Sequence, residues 1–255
     1  MKWLALTLFL VWGNVARADS PAYDVDLDID LPAIGIATAS TAAWFIDLGP
    51  AYCAPQCDPA TLNALDRPFA GHHRPGWSVA GTAVSAFVLG APLPILLMAE
   101  APRAAANDMV VIAEAVMVAA ATSVVFEVGA RRPRPFLYGT EAPLAERMDT
   151  NASLSFFSGH TAYTFDATIA TWFTLNRLHV APKWRRLALG IGLTASAFVA
   201  VSRVISGDHF PSDVMTGAAV GSLYGYLIPA LHKRRMTFAP SITGSTASLN
   251  LIGSF

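Results

Sequence analysis

The stretch SRVISGDHFPSD, residues 202–213, places four charged or titratable side chains between two apolar segments. They are Arg203, Asp208, His209 and Asp213. The chain as a whole is 54% hydrophobic and 14% charged, whereas soluble domains carry about 25% charged residues. This composition indicates a membrane protein, in which such polar side chains are costly enough to indicate function. The net charge of −1 does not favour a polyanion, so we expect no nucleic-acid partner.

Further apolar segments lie on both sides of this stretch. Six segments approach the roughly 20 residues that a helix needs to cross a bilayer: 31–48, 77–98, 108–126, 160–175, 187–204 and 212–231. We therefore predict an all-α membrane bundle of about five or six helices. No internal repeat is visible, so we expect one membrane domain at 77–235. An outer segment with one weak helix precedes it at 19–76, and a tail, either a short hairpin or disordered, follows at 236–255.

Residues 1–18 have the features of a secretory signal peptide. A lysine precedes an apolar run, and the sequence ARA at 16–18 forms a cleavage site. An uncleaved anchor is the alternative. In either case Asp19 would lie outside the membrane, which suggests a bacterial envelope protein.

Two basic loops set the expected orientation. Residues 176–186 and 232–235 are rich in Lys and Arg and contain no acid, so both belong in the cytoplasm. The segments at 127–159 and 202–211 then face the periplasm from the inner membrane. Three crossings before residue 127 conflict with an outside N-terminus. Either segment 31–48 does not span the membrane, or it spans and the N-terminus was never translocated.

The two cysteines, Cys53 and Cys57, lie in the stretch CAPQC. An oxidising compartment would allow a small disulfide loop, and a pair of unlinked thiols is the alternative. Two cysteines are too few for a metal site, so we expect no metal here.

A cluster of arginines follows the third apolar segment, in EVGARRPRPF at 127–136. Pro133 and Pro135 hold the residues before them in extended conformations. The guanidinium groups of Arg131, Arg132 and Arg134 match the geometry of an oxyanion such as phosphate. A basic cluster that touches lipid headgroups is the alternative.

The stretch SFFSGH at 155–160 precedes another apolar segment. Ser158 and Gly159 would lie at a helix N-terminus, where free backbone N–H groups and the helix dipole bind anions. Taken alone, the stretch is better explained by an ordinary Ser cap followed by an incidental histidine, His160.

In the opening stretch, His209 and Asp213 are four residues apart, at the start of a helix. Asp213 could accept a hydrogen bond from one ring nitrogen of His209 and leave the other free as a nucleophile or base. Arg203 is a further oxyanion ligand. Together the three stretches suit phosphoryl transfer, in which cations balance charge on the equatorial oxygens.

The three stretches resemble the motifs of the type 2 phosphatidic acid phosphatase superfamily, K-x6-R-P, P-S-G-H and S-R-x5-H-x3-D. The resemblance covers about residues 77–231. The third motif is complete, and the second has Phe157 in place of its proline. The first has Arg134 and Pro135, but Glu127 stands in place of its lysine.

The resemblance implies an all-α bundle that needs neither metal nor cofactor. It implies that His209 forms a phosphohistidine, that Asp213 orients His209 and that His160 protonates the leaving group. The phosphate would be held by Arg134, Arg203, Ser158 and the backbone of Gly159. Arg131 or Arg132 could supply the charge that Glu127 removes.

The expected function is that of a membrane phosphatase acting on a lipid phosphate. The substrate classes are phosphatidic acid, phosphatidylglycerol phosphate, polyprenyl pyrophosphate and lipid A phosphate. One alternative is a catalytically weak protein that binds lipid phosphates, because Glu127 weakens the site. Another is a non-specific acid phosphatase or a haloperoxidase, although those relatives are soluble.

Overall fold

The computed structural model describes Ala18 and residues 20–232, 237–243 and 246–252. The signal-peptide interpretation therefore rests mostly on residues outside the described part of the chain. The α-helices described are α1 (Leu27–Thr41), α2 (Pro75–Gly90), α3 (Pro92–Ala99), α4 (Pro102–Ala130), α5 (Leu144–Arg147), α6 (Gly159–Arg177), α7 (Pro182–Ser206) and α8 (Pro211–Leu231). Short 3₁₀ helices occupy Ala42–Phe45, Pro59–Thr61, Arg67–Phe69, Pro135–Tyr138 and Thr150–Ser153. The antiparallel strands β1 (Thr237–Thr243) and β2 (Thr246–Ile252) form a hairpin in the tail.

Proline and left-handed residues define many of the helix ends. Five helices, α2, α3, α4, α7 and α8, have proline in their first turn, where its missing N–H costs nothing. Helix α4 ends at Arg131, whose φ is 45°, and α7 ends at Gly207, whose φ is 85°. A side chain at position 207 would also collide with the carbonyl of His72. Glycine is therefore required at the turn that carries the stretch 202–213.

Helix α6 lies at the centre of the bundle and packs against α4, α7 and α8. Helix α8 approaches it through Gly217, Gly221 and Gly225, at each of which a Cβ would overlap the α6 segment or the residue before it. Small residues at such spacing allow membrane helices to pack backbone against backbone. This contact fixes the start of α6 beside the start of α8.

Four described segments are long and apolar enough to cross a membrane: Pro75–Ala99, Pro102–Tyr138, Pro182–Ser206 and Pro211–Leu231. Helix α6 is not among them, because threonines and Asp166 lie in it. All six apolar segments of the sequence contain helix. The predicted all-α membrane bundle is confirmed, with the tail hairpin as a β addition.

The bundle has two ends. The site end holds the starts of α2, α6 and α8 and the ends of α4 and α7, and the basic end holds the loop at 176–186 and His232, which follows α8. Helix α1 runs between the two. Near its start, the N–H of Tyr23 donates to Asp108 at 3.3 Å, and beyond its end Arg131 donates to the Gly49 carbonyl at 3.0 Å. This course favours the alternative in which segment 31–48 spans the membrane.

A cap layer covers the site end. It is built from residues 46–74 and 132–155. Together with Phe210, these two segments form a small core, whose other members are Ala51, Cys57, Leu62, Phe136, Leu137, Tyr138, Ala142 and Ala152. Backbone bonds join the two segments, as from Cys57 N to the Leu137 carbonyl at 2.9 Å. Cys53 and Cys57 are linked by a disulfide in this layer.

Candidate active site

The three polar stretches, far apart in sequence, meet at the site end. The ring of His209 bonds the Ser155 carbonyl at 2.7 Å, and Arg134 donates to the Asp208 carbonyl at 3.0 Å. The N–H of Ser158 donates to the Asp213 carbonyl at 3.2 Å. Each stretch is therefore bonded directly to another.

Arg134 is held rigidly by its neighbours. Its Nε donates to the Asn151 carbonyl and its Nη2 to the Asn151 side chain, both at 2.8 Å. The residue is 7% exposed. A guanidinium has five N–H donors, so Arg134 keeps donors for a bound anion after these bonds and the one to Asp208 are made.

Arg203 is fixed from helix α2. Its Nη1 donates to Ser78 at 3.0 Å and its Nη2 to Thr82 at 2.7 Å. Nη1 also forms an ion pair with Asp208 at 3.0 Å. The Nε is buried and has no hydrogen-bond partner among the described residues. A buried donor without a partner is costly, and an oxyanion would satisfy it.

The tautomer of His209 follows from its single ring bond. A carbonyl can only accept a hydrogen bond, so Nδ1 of His209 donates to Ser155 and Nε2 carries the lone pair. Burial and the nearby charge of Arg134 lower the pKa of His209 well below its ordinary value. The ring is thus neutral near pH 7, as a nucleophile must be.

The structure changes the role expected of Asp213. Its Oδ2 accepts from the Ser155 hydroxyl at 2.6 Å and from Phe210 N at 2.9 Å, and its Oδ1 pairs with Arg132. Among the described residues, no hydrogen bond joins Asp213 directly to His209, although the sequence analysis had expected one. Both acceptor oxygens are committed elsewhere, so Asp213 reaches His209 only through Ser155 and Phe210.

Two of the expected phosphate ligands are occupied elsewhere. Arg131 donates to the carbonyls of Gly49 and Pro50, both at 3.0 Å, because its left-handed backbone turns it toward the cap layer. Arg132 bridges Asp213 and Asp66. Both guanidinium groups are therefore bonded to other parts of the protein, and neither is placed to supply the charge that Glu127 removes.

The start of α6 presents the remaining groups. The Ser158 hydroxyl accepts from Thr161 at 3.0 Å, which leaves its proton free to donate. A Cβ on Gly159 would lie 2.8 Å from the Ser123 hydroxyl, so only glycine lets α6 approach α4 here. The ring of His160 packs on Tyr163, with centroids 5.1 Å apart.

Asp208 had no role in the sequence analysis, and the structure gives it one. Burial opposes its ionisation, but the charge of Arg134, a hydrogen bond from Ser78 and the charge of Arg203 outweigh it and lower its pKa to about 2. Asp208 is therefore a permanent anion that balances the arginines. Its place five residues after Arg203, across the turn at Gly207, was the available signal.

Asp66 is the second residue that sequence reasoning missed. It is fully buried and accepts from Arg132 at 2.7 Å and from the Ser212 hydroxyl at 2.7 Å. Burial raises its pKa, but these bonds outweigh it and the pKa lies below its ordinary value. Asp66 lies outside the three motifs, in the first of the two segments that form the cap layer.

Glu127 is buried beside the site. The Trp44 side chain hydrogen-bonds with its carboxyl group, and the charge of Arg134 acts on it. Its residue exposure is 5%. A buried acidic side chain therefore lies near the arginine that would bind a phosphate.

One described group of side chains has the spacing of metal ligands, and it lies at the basic end. His232 Nε2 is 3.4 Å from Asp30 and 3.2 Å from Glu114. The bond with Glu114, opposed by partial burial, raises the pKa of His232 to about 9. A protonated His232 pairs with both carboxylates and offsets one of their two charges.

Comparison with known proteins places these observations in context. The profile of the PAP2 superfamily matches residues 108–237, which is just over half of the chain and contains all three stretches. The lipid A 1-phosphatase of Porphyromonas gingivalis is 42% identical over 81 residues, which are 32% of this chain and 17% of that protein. The chain thus spans less than a fifth of that relative's length.

A solved structure also aligns with the chain. It is the first transmembrane PAP2 type phosphatidylglycerolphosphate phosphatase from Bacillus subtilis. The alignment has a TM-score of 0.40 at 17% sequence identity and covers 79% of this chain and 94% of that one.

Proposed function

Because the chain belongs to the PAP2 superfamily, we propose that it is a membrane lipid phosphatase, which cleaves a lipid phosphate monoester or pyrophosphate through a phosphohistidine on His209. The observation that carries the proposal is the pair of open groups at the site. Nε2 of His209 carries no proton, and the buried Nε of Arg203 has no hydrogen-bond partner among the described residues. A nucleophile and an unsatisfied cation together suit a phosphoryl group.

The first step is attack of His209 Nε2 on phosphorus. The P–N bond forms as the bond from phosphorus to the lipid oxygen breaks, and the electron pair leaves with that oxygen. His160 donates a proton to the leaving oxygen. Arg134, Arg203, the Ser158 hydroxyl and the N–H of Gly159 hold the equatorial oxygens.

The second step releases the phosphate. Water attacks the phosphohistidine, His160 accepts the proton of the water, and the P–N bond breaks so that its electron pair returns to Nε2. Inorganic phosphate leaves and His209 is restored. The charge on phosphorus is balanced by arginines throughout, so the proposal requires no metal ion.

The proposed orientation places the site on the periplasmic face of a bacterial inner membrane. Two features support it. The basic loop at 176–186 lies at the opposite end of the bundle, where the positive-inside rule places the cytoplasm. The disulfide of Cys53 and Cys57 lies at the site end, as expected for an oxidising compartment.

The substrate class follows from the position of the site. Of the helices that carry it, α4, α7 and α8 lie in segments long and apolar enough to cross a membrane, which favours a lipid over a soluble ester. Phosphatidic acid, phosphatidylglycerol phosphate and polyprenyl pyrophosphate remain substrates to test. The activity named for the Porphyromonas gingivalis relative makes a lipid A phosphate the first choice.

The test is phosphate release by the purified protein in detergent, with a chelator and with each of these lipids. We expect His209→Ala to reduce kcat by at least about a thousandfold. His73→Ala is the matched control, because His73 lies at the same end of the bundle as His209 and pairs with Glu146. Acid-labile label from a radioactive substrate should appear on the wild type and not on His209→Ala. Full activity in His209→Ala would contradict the proposal.

A second candidate function has one observation in its favour, the burial of Glu127 close to Arg134. Under that alternative the protein binds lipid phosphates and cleaves them poorly. Binding of a lipid phosphate without phosphate release by the wild type would select it.

A further inference from the structure

A buried chain of polar contacts connects the cap layer with the ring of His209. We propose that Asp66, Arg132 and Ser155 are positioning residues that hold the His209 ring in line with the phosphorus atom. This inference rests on the proposed function and deepens it. None of the three belongs to the motif positions on which the family resemblance was based.

Asp66 anchors the outer end of the chain of contacts. It accepts from Arg132 Nη2 at 2.7 Å, from Ser212 N at 3.1 Å and Oγ at 2.7 Å, and from Asn63 Nδ2 at 2.6 Å. It is 0% exposed. Four donors on one buried carboxylate hold it in a single position.

Arg132 carries that position inward. Its Nη1 pairs with Asp213 and donates to the Ser212 hydroxyl at 2.8 Å, while its guanidinium carbon lies 4.6 Å from the centroid of the Phe210 ring. A planar guanidinium can bridge two carboxylates and stack on a ring at once, which an ammonium cannot. Arg132 therefore orients Asp213 relative to Asp66.

Ser155 completes the connection. Its hydroxyl donates to Asp213 at 2.6 Å, and its carbonyl accepts from His209 Nδ1 at 2.7 Å. Asp213 also accepts from the N–H of Phe210 at 2.9 Å. The network thus restrains both the ring of His209 and the backbone next to it.

Asp66, Arg132 and Asp213 hold one another in place, so removing one of them affects the other two. Asp66 and Asp213 are both 0% exposed, and a buried charge that loses its partner is strongly unfavourable. Without Asp66, Arg132 is free to leave Asp213, whose Oδ1 then loses its partner and no longer fixes the orientation of the carboxylate. Misplacing a reacting group by about 1 Å costs about 100-fold in rate.

Asp66→Asn tests the anchor with little change in volume. With a lipid phosphate that the wild type cleaves, we expect kcat to fall about 10- to 100-fold. The inhibition constant of inorganic phosphate should stay within about twofold of the wild type, because Arg134 and Arg203 do not contact Asp66. Glu146→Gln is the control: it removes the ion pair with His73 at the site end and should leave kcat unchanged.

Arg132→Ala provides an independent test with a rescue. The side chain of Arg132 is 22% exposed, so added methylguanidinium can enter the space it leaves and restore part of kcat. The double variant with Asp66→Asn should be no slower than Arg132→Ala alone, because the two residues act in series. A misfolded protein would show neither rescue nor this non-additivity.

Two results would overturn the network. One is unchanged kcat in a folded Asp66→Asn protein, and the other is Arg132→Ala that methylguanidinium does not rescue. If His209→Ala abolishes activity while both variants remain fully active, the network fails and the proposed function stands. If the wild type releases no phosphate from any lipid of the panel, the proposed function fails first.

Discussion

At the scale of single residues, Glu127 is the buried acid that lies beside the proposed phosphate site. It lies buried beside Arg134, and Trp44 is its hydrogen-bond partner. The two arginines that could have compensated for it are bound to the cap layer and to Asp66 and Asp213. The site therefore relies on Arg134 and Arg203 against a nearby carboxylate.

At alkaline pH, where the Glu127 carboxyl is ionised, Glu127→Gln should strengthen phosphate binding several-fold. The substitution removes the Coulomb repulsion between the carboxylate and the phosphate, which is still appreciable at an effective dielectric constant of about 20. The inhibition constant of inorganic phosphate measures this directly. Glu141→Gln, an exposed acid in the loop after Pro135–Tyr138, is the control and should change nothing. Weaker phosphate binding in Glu127→Gln would show that Glu127 supports the site. Glu127→Lys should raise the rate only if position 127 faces the bound phosphate.

The pH profile should reflect the environment of His209. Burial and the charge of Arg134 lower its pKa, so the neutral, reactive ring persists as pH falls below the ordinary value of about 6.5. The acid limb of kcat/KM, corrected for ionisation of the substrate, should lie below that value. Arg134→Gln removes one cause of the shift and should move the limb to higher pH. A wild-type limb above the ordinary histidine pKa would contradict this assignment.

The motif positions could be predicted from the sequence, but their partners could not. The spacing of Arg203, His209 and Asp213 is local and is visible in one short stretch. The partners of Arg131, Arg132 and Asp213 depend on residues brought in by the cap layer. Because no periodicity connects Asp66 with Arg132, sixty-odd positions apart, only the folded chain shows their contact.

At the scale of secondary-structure elements, the contact between α6 and α8 positions His160. Three glycines of α8 face the backbone of α6 and of the residue before it, and a Cβ at position 221 would overlap Ala162. Any displacement of α6 moves its first turn, which carries Gly159 and His160. The glycine spacing is visible in the sequence, whereas the helix that it faces is not.

Gly221→Ala should destabilise the protein by about 1–3 kcal/mol through overpacking and should also lower kcat. Thermal unfolding in detergent measures the first effect. Gly190→Ala is the matched control on α7, where nothing lies within 4 Å of the added methyl group. That substitution should be neutral or stabilise by up to about 1 kcal/mol. Equal stability of the two variants would contradict the close helix contact.

At the scale of the whole molecule, the course of α1 determines the arrangement of the termini. If α1 spans, the segment before it lies at the basic end, with the loop at 176–186 and His232. The helix was the weakest of the six apolar segments in the sequence. Its course along the bundle follows from its contacts at both ends, with Asp108 near its start and Arg131 beyond its end.

Cysteine labelling in intact cells tests this arrangement. In a protein with Cys53 and Cys57 replaced, Ala60→Cys at the exposed site end should react with a membrane-impermeant maleimide. Asp24→Cys and Lys183→Cys, also exposed, should react only after permeabilisation. Labelling of Asp24→Cys in intact cells would show that α1 does not cross, and labelling of Lys183→Cys would reverse the proposed orientation.

The polar character of α6 has a consequence for how the protein enters the membrane during synthesis. Asp166 and a row of threonines make this helix too polar to partition into lipid by itself, since an aspartate at mid-bilayer costs about 2.5–3.5 kcal/mol. Its polar face is covered partly by α8, which the ribosome makes only after another loop and the whole of α7. We therefore expect α6 to enter the bilayer only together with α7 and α8, which are synthesised after it. In a chain truncated before α8, helix α6 should remain outside the bilayer.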